Sequence, residues 1–180
     1  MKTYIVLLKG INVGGHKKVP MAELRELLTK SGFKNVQTYI QSGNVILQSS
    51  EKDIRKIEEI IKNAILNYFG FEVSVLVITK PNLQRIFDDF PFSEEKKKAS
   101  YFMMLHHAPS EALVKVASEK VYEDEEYIIL NDCIYYFCAK GYGQAKFNVN
   151  FFERNLKTFA TSRNYNTMVK LLSLSSEYSI

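Results

Sequence analysis

Several features that would place a chain in a membrane or outside the cell are missing from these 180 residues. No apolar run approaches the roughly 18 residues that a transmembrane helix needs. The apolar stretch Tyr4–Leu8 is too short for a signal-peptide core, and no small-residue cleavage site follows it. Glycine and proline are few, at eight and four residues, as in an ordinary globular protein. We therefore expect a cytoplasmic protein with no membrane partner.

Cysteine and histidine are also scarce, at two and three residues. Cys133 and Cys138 lie five positions apart in a strand-like run, so they should point to opposite faces and remain buried free thiols. Their spacing is not that of a zinc site, and His16, His106 and His107 complete no metal cluster. The sequence thus predicts no metal site, and nothing in it indicates a cofactor.

Positive charge is concentrated at the two ends of the chain, although the net charge is only +4. Residues 1–50 carry seven basic and two acidic side chains, and residues 141–180 carry five and two. Residues 99–140 carry three basic and seven acidic side chains. If the ends meet in space they form a positive patch that attracts anions, and otherwise they belong to an ordinary mixed surface.

The first 80 residues show the order β-α-β-β-α-β, which is typical of a ferredoxin-like plait. Thr3–Leu8 is continuously apolar, as expected of a strand buried on both faces. Ser50 with Asp53 resembles a capping box before the second helix. The other predicted elements are a helix from Pro20 to Gly32, strands Val36–Ile40 and Asn44–Gln48, a helix from Ile54 to Gly70, and strand Glu72–Thr79.

The second half repeats this order more loosely, as β-α-β-β-α. A charged stretch, FSEEKKKAS, is the best linker candidate, and it precedes a strand at Ser100–His106. We predict an α+β fold of two ferredoxin-like plaits, with antiparallel sheets and helices packed on one face. The predicted subdomains are residues 1–80 and residues 81–180, the latter with a C-terminal helix. The other predicted elements are helices over 81–87, 110–121 and 150–156, strands over 126–130 and 133–139, and a last helix around Met168.

The segment KGINVGGHKKVPM, from Lys9 to Met21, occupies the place of a phosphate loop but breaks its pattern. His16 stands where the P-loop lysine belongs and Lys17 replaces the magnesium-binding hydroxyl, so nucleoside triphosphate hydrolysis is disfavoured. Glycines, two lysines and a helix N-terminus near Pro20 could still cradle an anion. The alternative is a simple turn with solvated lysines.

Four motifs together resemble the bacterial family named domain of unknown function 1697. They are KGINVGG, VPMAELRELL, TYIQSGN (Thr38–Asn44) and FATSRNYNTMVKLL (Phe159–Leu172). The resemblance implies a duplicated ferredoxin-like plait and no established activity. Lys9 stands where the family more often has arginine. Lysine keeps the positive charge but cannot bind in the bidentate way that arginine can. The positions that carry the resemblance are Gly10, Asn12, Gly14, Gly15, Ser42, Gly43, Asn44, Thr161, Arg163, Asn164, Asn166 and Thr167.

Two of these segments have a structural as well as a functional interpretation. Ser42–Asn44 satisfies hairpin geometry without any ligand, and standard topology leads us to expect it at the opposite end of the plait from Gly10–Gly15. Arg163 and Asn164 offer donors for a phosphate, a carboxylate or a base, and we pair them with the glycine loop because both segments are basic. Equally, they fit the N-cap of a helix.

The leading hypothesis is a cytoplasmic module that binds a phosphate-bearing or anionic ligand, a nucleotide or RNA, at the glycine-rich turn. One alternative is an enzyme acting on a small phosphorylated metabolite, with His16 as acid or base. Another is an assembly module whose open sheet edges pair chains. The predicted ligand-binding residues are Lys9, Asn12, Gly14, Gly15, Lys18, Arg163 and Asn164.

Overall fold

The computed structural model describes residues 1–177, and in it the chain forms two compact units. One unit contains Met1–Gln84 together with residues 170–177, and the other contains Arg85–Val169. The divisions fall within helix α3, Lys80–Asp88, and helix α7, Tyr165–Ser176. The sequence-based boundary between residues 80 and 81 stays a prediction.

The first unit is a ferredoxin-like plait. Its sheet has the strand order β2-β3-β1-β4, and the pairs β1–β3, β1–β4 and β2–β3 are all antiparallel. The elements are β1 (Lys2–Leu8), α1 (Met21–Lys30), β2 (Lys34–Tyr39), β3 (Asn44–Ser49), α2 (Ile54–Phe69) and β4 (Val75–Ile78).

The core of this unit lies between one face of the sheet and helices α1 and α2. Residues Tyr4–Leu8 of β1 are at most 1% exposed, so the prediction of a strand buried on both faces is confirmed. Helix α2 begins after Asp53, whose side chain accepts a hydrogen bond from the Arg55 backbone N–H; the predicted cap at Ser50 is therefore wrong. Representative core residues are Val6, Leu8, Leu24, Leu28, Ile57, Ile61 and Ile65.

The second unit repeats the plait with the strand order β6-β7-β5-β8, again antiparallel. This repetition confirms the predicted duplication. The elements are α4 (Glu94–Lys98), β5 (Tyr101–Leu105), α5 (Glu111–Ala117), β6 (Glu125–Leu130), β7 (Cys133–Cys138), a 3-10 turn (Tyr142–Gln144), α6 (Val149–Leu156) and β8 (Ala160–Asn164).

Two elements of this unit differ from the sequence-based expectation. The charged stretch proposed as a linker contains helix α4, which Ser93 caps by accepting a hydrogen bond from the Lys96 backbone N–H. Lys97 in this helix is only 6% exposed, and its ammonium lies 4.3 Å from the centre of the Phe87 ring. The plait prediction implies a fourth strand, β8, but the sequence does not show where it lies, because its residues ATSRN lack an apolar alternation.

A glutamate on the second helix of each plait protects the edge formed by the fourth strand. The Glu58 carboxylate in α2 accepts a hydrogen bond from the backbone N–H of Val77 in β4 at 3.0 Å. The Glu153 carboxylate in α6 accepts one from the backbone N–H of Ala160 in β8 at 2.7 Å. Each glutamate is the fifth residue of its helix, so the two plaits share this contact at corresponding positions.

Both cysteines are buried and free, as predicted, and burial raises the pKa of the Cys133 thiol well above its usual value. Across residues 1–177, no helix combines the length and apolar character needed to cross a membrane. Within the same residues, no group of three or more histidine, cysteine or acidic side chains could hold a metal ion.

Candidate functional site

The glycine-rich segment of the first unit folds into a miniature hairpin. The His16 backbone N–H donates to the Val13 carbonyl at 3.0 Å, which closes a four-residue turn. Its central residues, Gly14 and Gly15, have φ values of +59° and +77°, as a type I′ turn requires. These two glycines are exposed at the tip of the hairpin, so the turn itself explains their presence.

The Asn12 side chain holds this hairpin to the rest of the unit. Its Oδ1 accepts from the Val19 backbone N–H at 2.8 Å. Its Nδ2 donates to the Val19 carbonyl at 3.0 Å and to the Gln41 carbonyl at 2.8 Å. Both amide hydrogens are therefore engaged within the protein, and Asn12 serves to shape the loop.

The Ser42–Asn44 hairpin contacts this loop directly, so the expectation that the two lie at opposite ends of the plait is wrong. The Leu8 backbone N–H donates to the Gly43 carbonyl at 2.8 Å, and Leu7 pairs with Asn44. The reason is topological. Because β1 and β3 are antiparallel neighbours, the end of β1 lies beside the start of β3.

The packing of the Ser42–Asn44 hairpin explains why glycine and asparagine occupy positions 43 and 44. Asn44 is fully buried, and its Nδ2 donates to the Tyr39 carbonyl and the Ser42 hydroxyl. A Cβ on Gly43 would lie 2.7 Å from the Leu8 Cβ, so a close approach of chain segments requires glycine at this position.

A basic cleft of about 590 Å³ opens beside the glycine loop, between the end of β1, the last turns of α2 and the start of β4. Lys9, Lys17 and Lys62 are among the residues that line it, and Glu72 is the acidic residue in the lining. Lys17 is held in place because its ammonium donates to the Glu72 backbone carbonyl at 2.7 Å. We call this feature the lysine cleft.

The remaining wall of the lysine cleft mixes polar and apolar groups. Asn63 and Leu66 come from α2, and Val73 and Ser74 come from the segment that enters β4. This segment is fixed because the Lys9 backbone N–H donates to the Ser74 carbonyl at 3.0 Å. The residues that line the cleft thus include three lysines, an asparagine, a serine and a glutamate.

Arg163 and Asn164 lie in β8 of the second unit. Arg163 is only 7% exposed, and its guanidinium donates to the Thr161 hydroxyl at 2.9 Å and to the Ser162 carbonyl at 2.8 Å. Burial lowers its pKa to about 10, so it remains a cation at neutral pH. The Asn164 Oδ1 accepts from the Thr167 backbone N–H at 3.0 Å, which confirms the helix-capping interpretation for Asn164.

Comparison with known proteins gives the chain a family. Residues 1–135 match the family described as "Protein of unknown function (DUF1697)". The chain belongs to this family. Its fold is also similar to that of a solved structure, "conserved bacterial protein SP0830 from Streptococcus pneumoniae", with a TM-score of 0.76. At 24% identity, over 96% of this chain and 98% of that one, the similarity shows the fold alone.

The comparisons assign no ligand and no reaction to this DUF1697 chain. A search of curated proteins gave no significant match.

One of the predicted ligand-binding residues lies at the lysine cleft of this DUF1697 protein. Lys9 lines it, whereas Gly14, Gly15 and Lys18 lie on the exposed hairpin and Asn12 is committed to shaping the loop. The pairing of Arg163 with the glycine loop stays a prediction. Sequence reasoning missed Lys62 and Asn63, because a lysine and an asparagine on an amphipathic helix look like any solvated face.

His16 projects from the exposed side of the hairpin. Its Cδ2 lies 3.8 Å from the place where a Cβ on Gly14 would stand, and it is not among the residues that line the lysine cleft. The role of His16 as an acid or base stays a prediction.

Proposed function

We propose that the protein binds a phosphate-bearing ligand in the lysine cleft. The observation that carries the proposal is the convergence of Lys9, Lys17 and Lys62 on one concave volume from the Lys9–Met21 segment and helix α2 of the first unit. About 590 Å³ falls within the range of small-molecule sites, about 300–1,000 Å³.

The charge of the lining favours an anion with more than one negative charge. Three lysines against Glu72 leave an excess of two positive charges around the cleft. A concave site lined by one sign of charge focuses its field and raises the local concentration of an oppositely charged ligand. Lysine ammonium groups bind phosphate as point charges, so they need no bidentate geometry.

The glycine loop contributes to this proposal by positioning Lys17. The hydrogen bonds of Asn12 and the turn at Gly14–Gly15 define the hairpin, and Lys17 extends from its second strand towards the Glu72 carbonyl. Lys18, the next residue, adds positive charge to the same exposed segment. A contribution from Arg163 stays a prediction, which this proposal does not need.

The test is isothermal titration calorimetry with inorganic pyrophosphate, with Lys62→Gln as the variant. We expect wild-type protein to bind and Lys62→Gln to bind about tenfold more weakly, a loss of about 1.4 kcal/mol. Raising the salt concentration should weaken binding, because the cleft is open to solvent.

Lys56→Gln is the matched control, since Lys56 lies on the same helix but does not line the cleft. It should bind as wild type does. Absence of pyrophosphate binding to wild-type protein, or equal losses in Lys62→Gln and Lys56→Gln, would overturn the proposal.

A further inference from the structure

From the other groups in the cleft, we infer that the ligand is a phosphorylated sugar or polyol, rather than a nucleotide or RNA. This inference rests on the proposed phosphate site. It concerns the part of the ligand that is not phosphate.

The lining of the lysine cleft offers no surface for a base. Among the described residues that line it, none is aromatic and none is an arginine. Recognition of single-stranded bases relies on stacking against aromatic rings or guanidinium planes, worth about 1–3 kcal/mol per base. Leu66 and Val73 supply the apolar wall instead, and neither offers a flat π face.

The aromatic residues closest to the cleft in the sequence are engaged elsewhere. The Tyr68 hydroxyl donates to the Glu23 carboxylate of α1 at 3.2 Å, and its ring packs edge-to-face on Phe69 at 4.8 Å. Phe69 and Phe71 stack on each other at 6.1 Å and pack against the core of the unit. These contacts direct all three rings towards helix α1 or the core.

The polar residues of the cleft suit hydroxyl groups. The Glu72 carboxylate repels phosphate but accepts hydrogen bonds from hydroxyls, while the Asn63 amide and the Ser74 hydroxyl can both donate and accept. Their combination with three lysines matches a ligand in which phosphates and several hydroxyls share a non-aromatic carbon skeleton. A polyphosphate without hydroxyl groups would gain no hydrogen bond from the Glu72 carboxylate and would be repelled by its charge.

The experiment compares three probes that each carry two phosphates: inorganic pyrophosphate, fructose 1,6-bisphosphate and ADP. We expect the hexose bisphosphate to bind about tenfold more tightly than pyrophosphate, because its hydroxyls reach Glu72, Asn63 and Ser74. ADP should bind no more tightly than pyrophosphate, because adenine finds no stacking surface. Tighter binding of ADP than of the hexose bisphosphate would overturn the inference.

Glu72→Gln provides the second readout. The variant keeps the backbone carbonyl that holds Lys17 but removes the carboxylate. It should therefore bind the hexose bisphosphate more weakly and pyrophosphate more tightly than the wild type does. The ratio of the two affinities should shift by about tenfold, whereas Glu59→Gln, one turn before Lys62 on α2 but not among the lining residues, should leave the ratio unchanged. An unchanged ratio in Glu72→Gln would overturn the inference. If wild-type protein fails to bind pyrophosphate, it is the phosphate site itself that is wrong.

Discussion

Replacing Gly43 by alanine tests the contact between the Ser42–Asn44 hairpin and the glycine loop. A Cβ at this position would lie 2.7 Å from the Leu8 Cβ and 2.9 Å from the Ile11 Cδ1. Leu8 is the last residue of the inner strand β1, pairs with Val75 and is 1% exposed, so its Cβ cannot move without shifting β1. Gly43 also has a φ of +79°, which L side chains rarely adopt.

The expected loss of stability has two parts. The left-handed backbone costs an alanine about 1–2 kcal/mol, and overpacking in a tightly packed core costs about 1–3 kcal/mol. Gly43→Ala should therefore lower the free energy of unfolding by about 3 kcal/mol. In a chain of this length, that lowers the unfolding midpoint by about 6–12 °C.

Gly70→Ala is the matched control. Gly70 has nearly the same φ, +80°, but a Cβ there would meet no atom within 4 Å. The free energy of unfolding of Gly70→Ala should therefore fall only by the cost of the left-handed backbone, about 1–2 kcal/mol. The difference between the two variants, measured by thermal and urea denaturation followed by circular dichroism, isolates the contact with Leu8 and Ile11. Equal losses in the two variants would refute the reasoning.

Three further predictions concern other contacts. Asn12→Asp places a carboxylate oxygen against two backbone carbonyls and should lower stability in urea denaturation by about 2–3 kcal/mol; a loss below about 0.5 kcal/mol would contradict the role given to Asn12. Burial raises the pKa of Tyr135, so the folded state keeps a proton that the unfolded state loses above about pH 10. Stability should then fall as pH rises from there, by up to about 1.4 kcal/mol per pH unit, and Tyr135→Phe should flatten this slope in a pH series of melting curves. Glu58→Leu should cost about 1–3 kcal/mol and increase light scattering, because the Val77 N–H loses its acceptor, whereas Glu58→Gln keeps an acceptor oxygen and should stay near wild type.

Most elements could be predicted because their patterns are local. The apolar run of β1 and the glycine that ends α2 are both readable from a few neighbouring residues. Helix α4 was missed because its sequence, EEKKK, has no apolar face, although Glu and Lys favour helix and Ser93 provides a cap. Strand β8 was missed because it depends on pairing with β5, more than 50 residues earlier in the chain.

The candidate site was harder to predict because it depends on long-range topology. Lys9 and Lys17 stand in a visible motif, but Lys62 reaches the same cleft only because α2 packs against β4, the strand that pairs with the end of β1. The contacts of Asn12 could not be predicted for a similar reason, since one of its acceptors, the Gln41 carbonyl, is 29 residues away. A motif shows which residues are unusual, but not whether they shape a site or contact its ligand.

The glutamates at the outer edges of β4 and β8 have a consequence for synthesis. Glu58 precedes Val77 by 19 residues and Glu153 precedes Ala160 by seven. Each carboxylate is therefore already in the nascent chain when its edge strand leaves the ribosome. An unpaired strand edge is a template for aggregation, and domains fold during synthesis from the N-terminus. The first sheet can thus acquire its edge protection before the second plait has been translated.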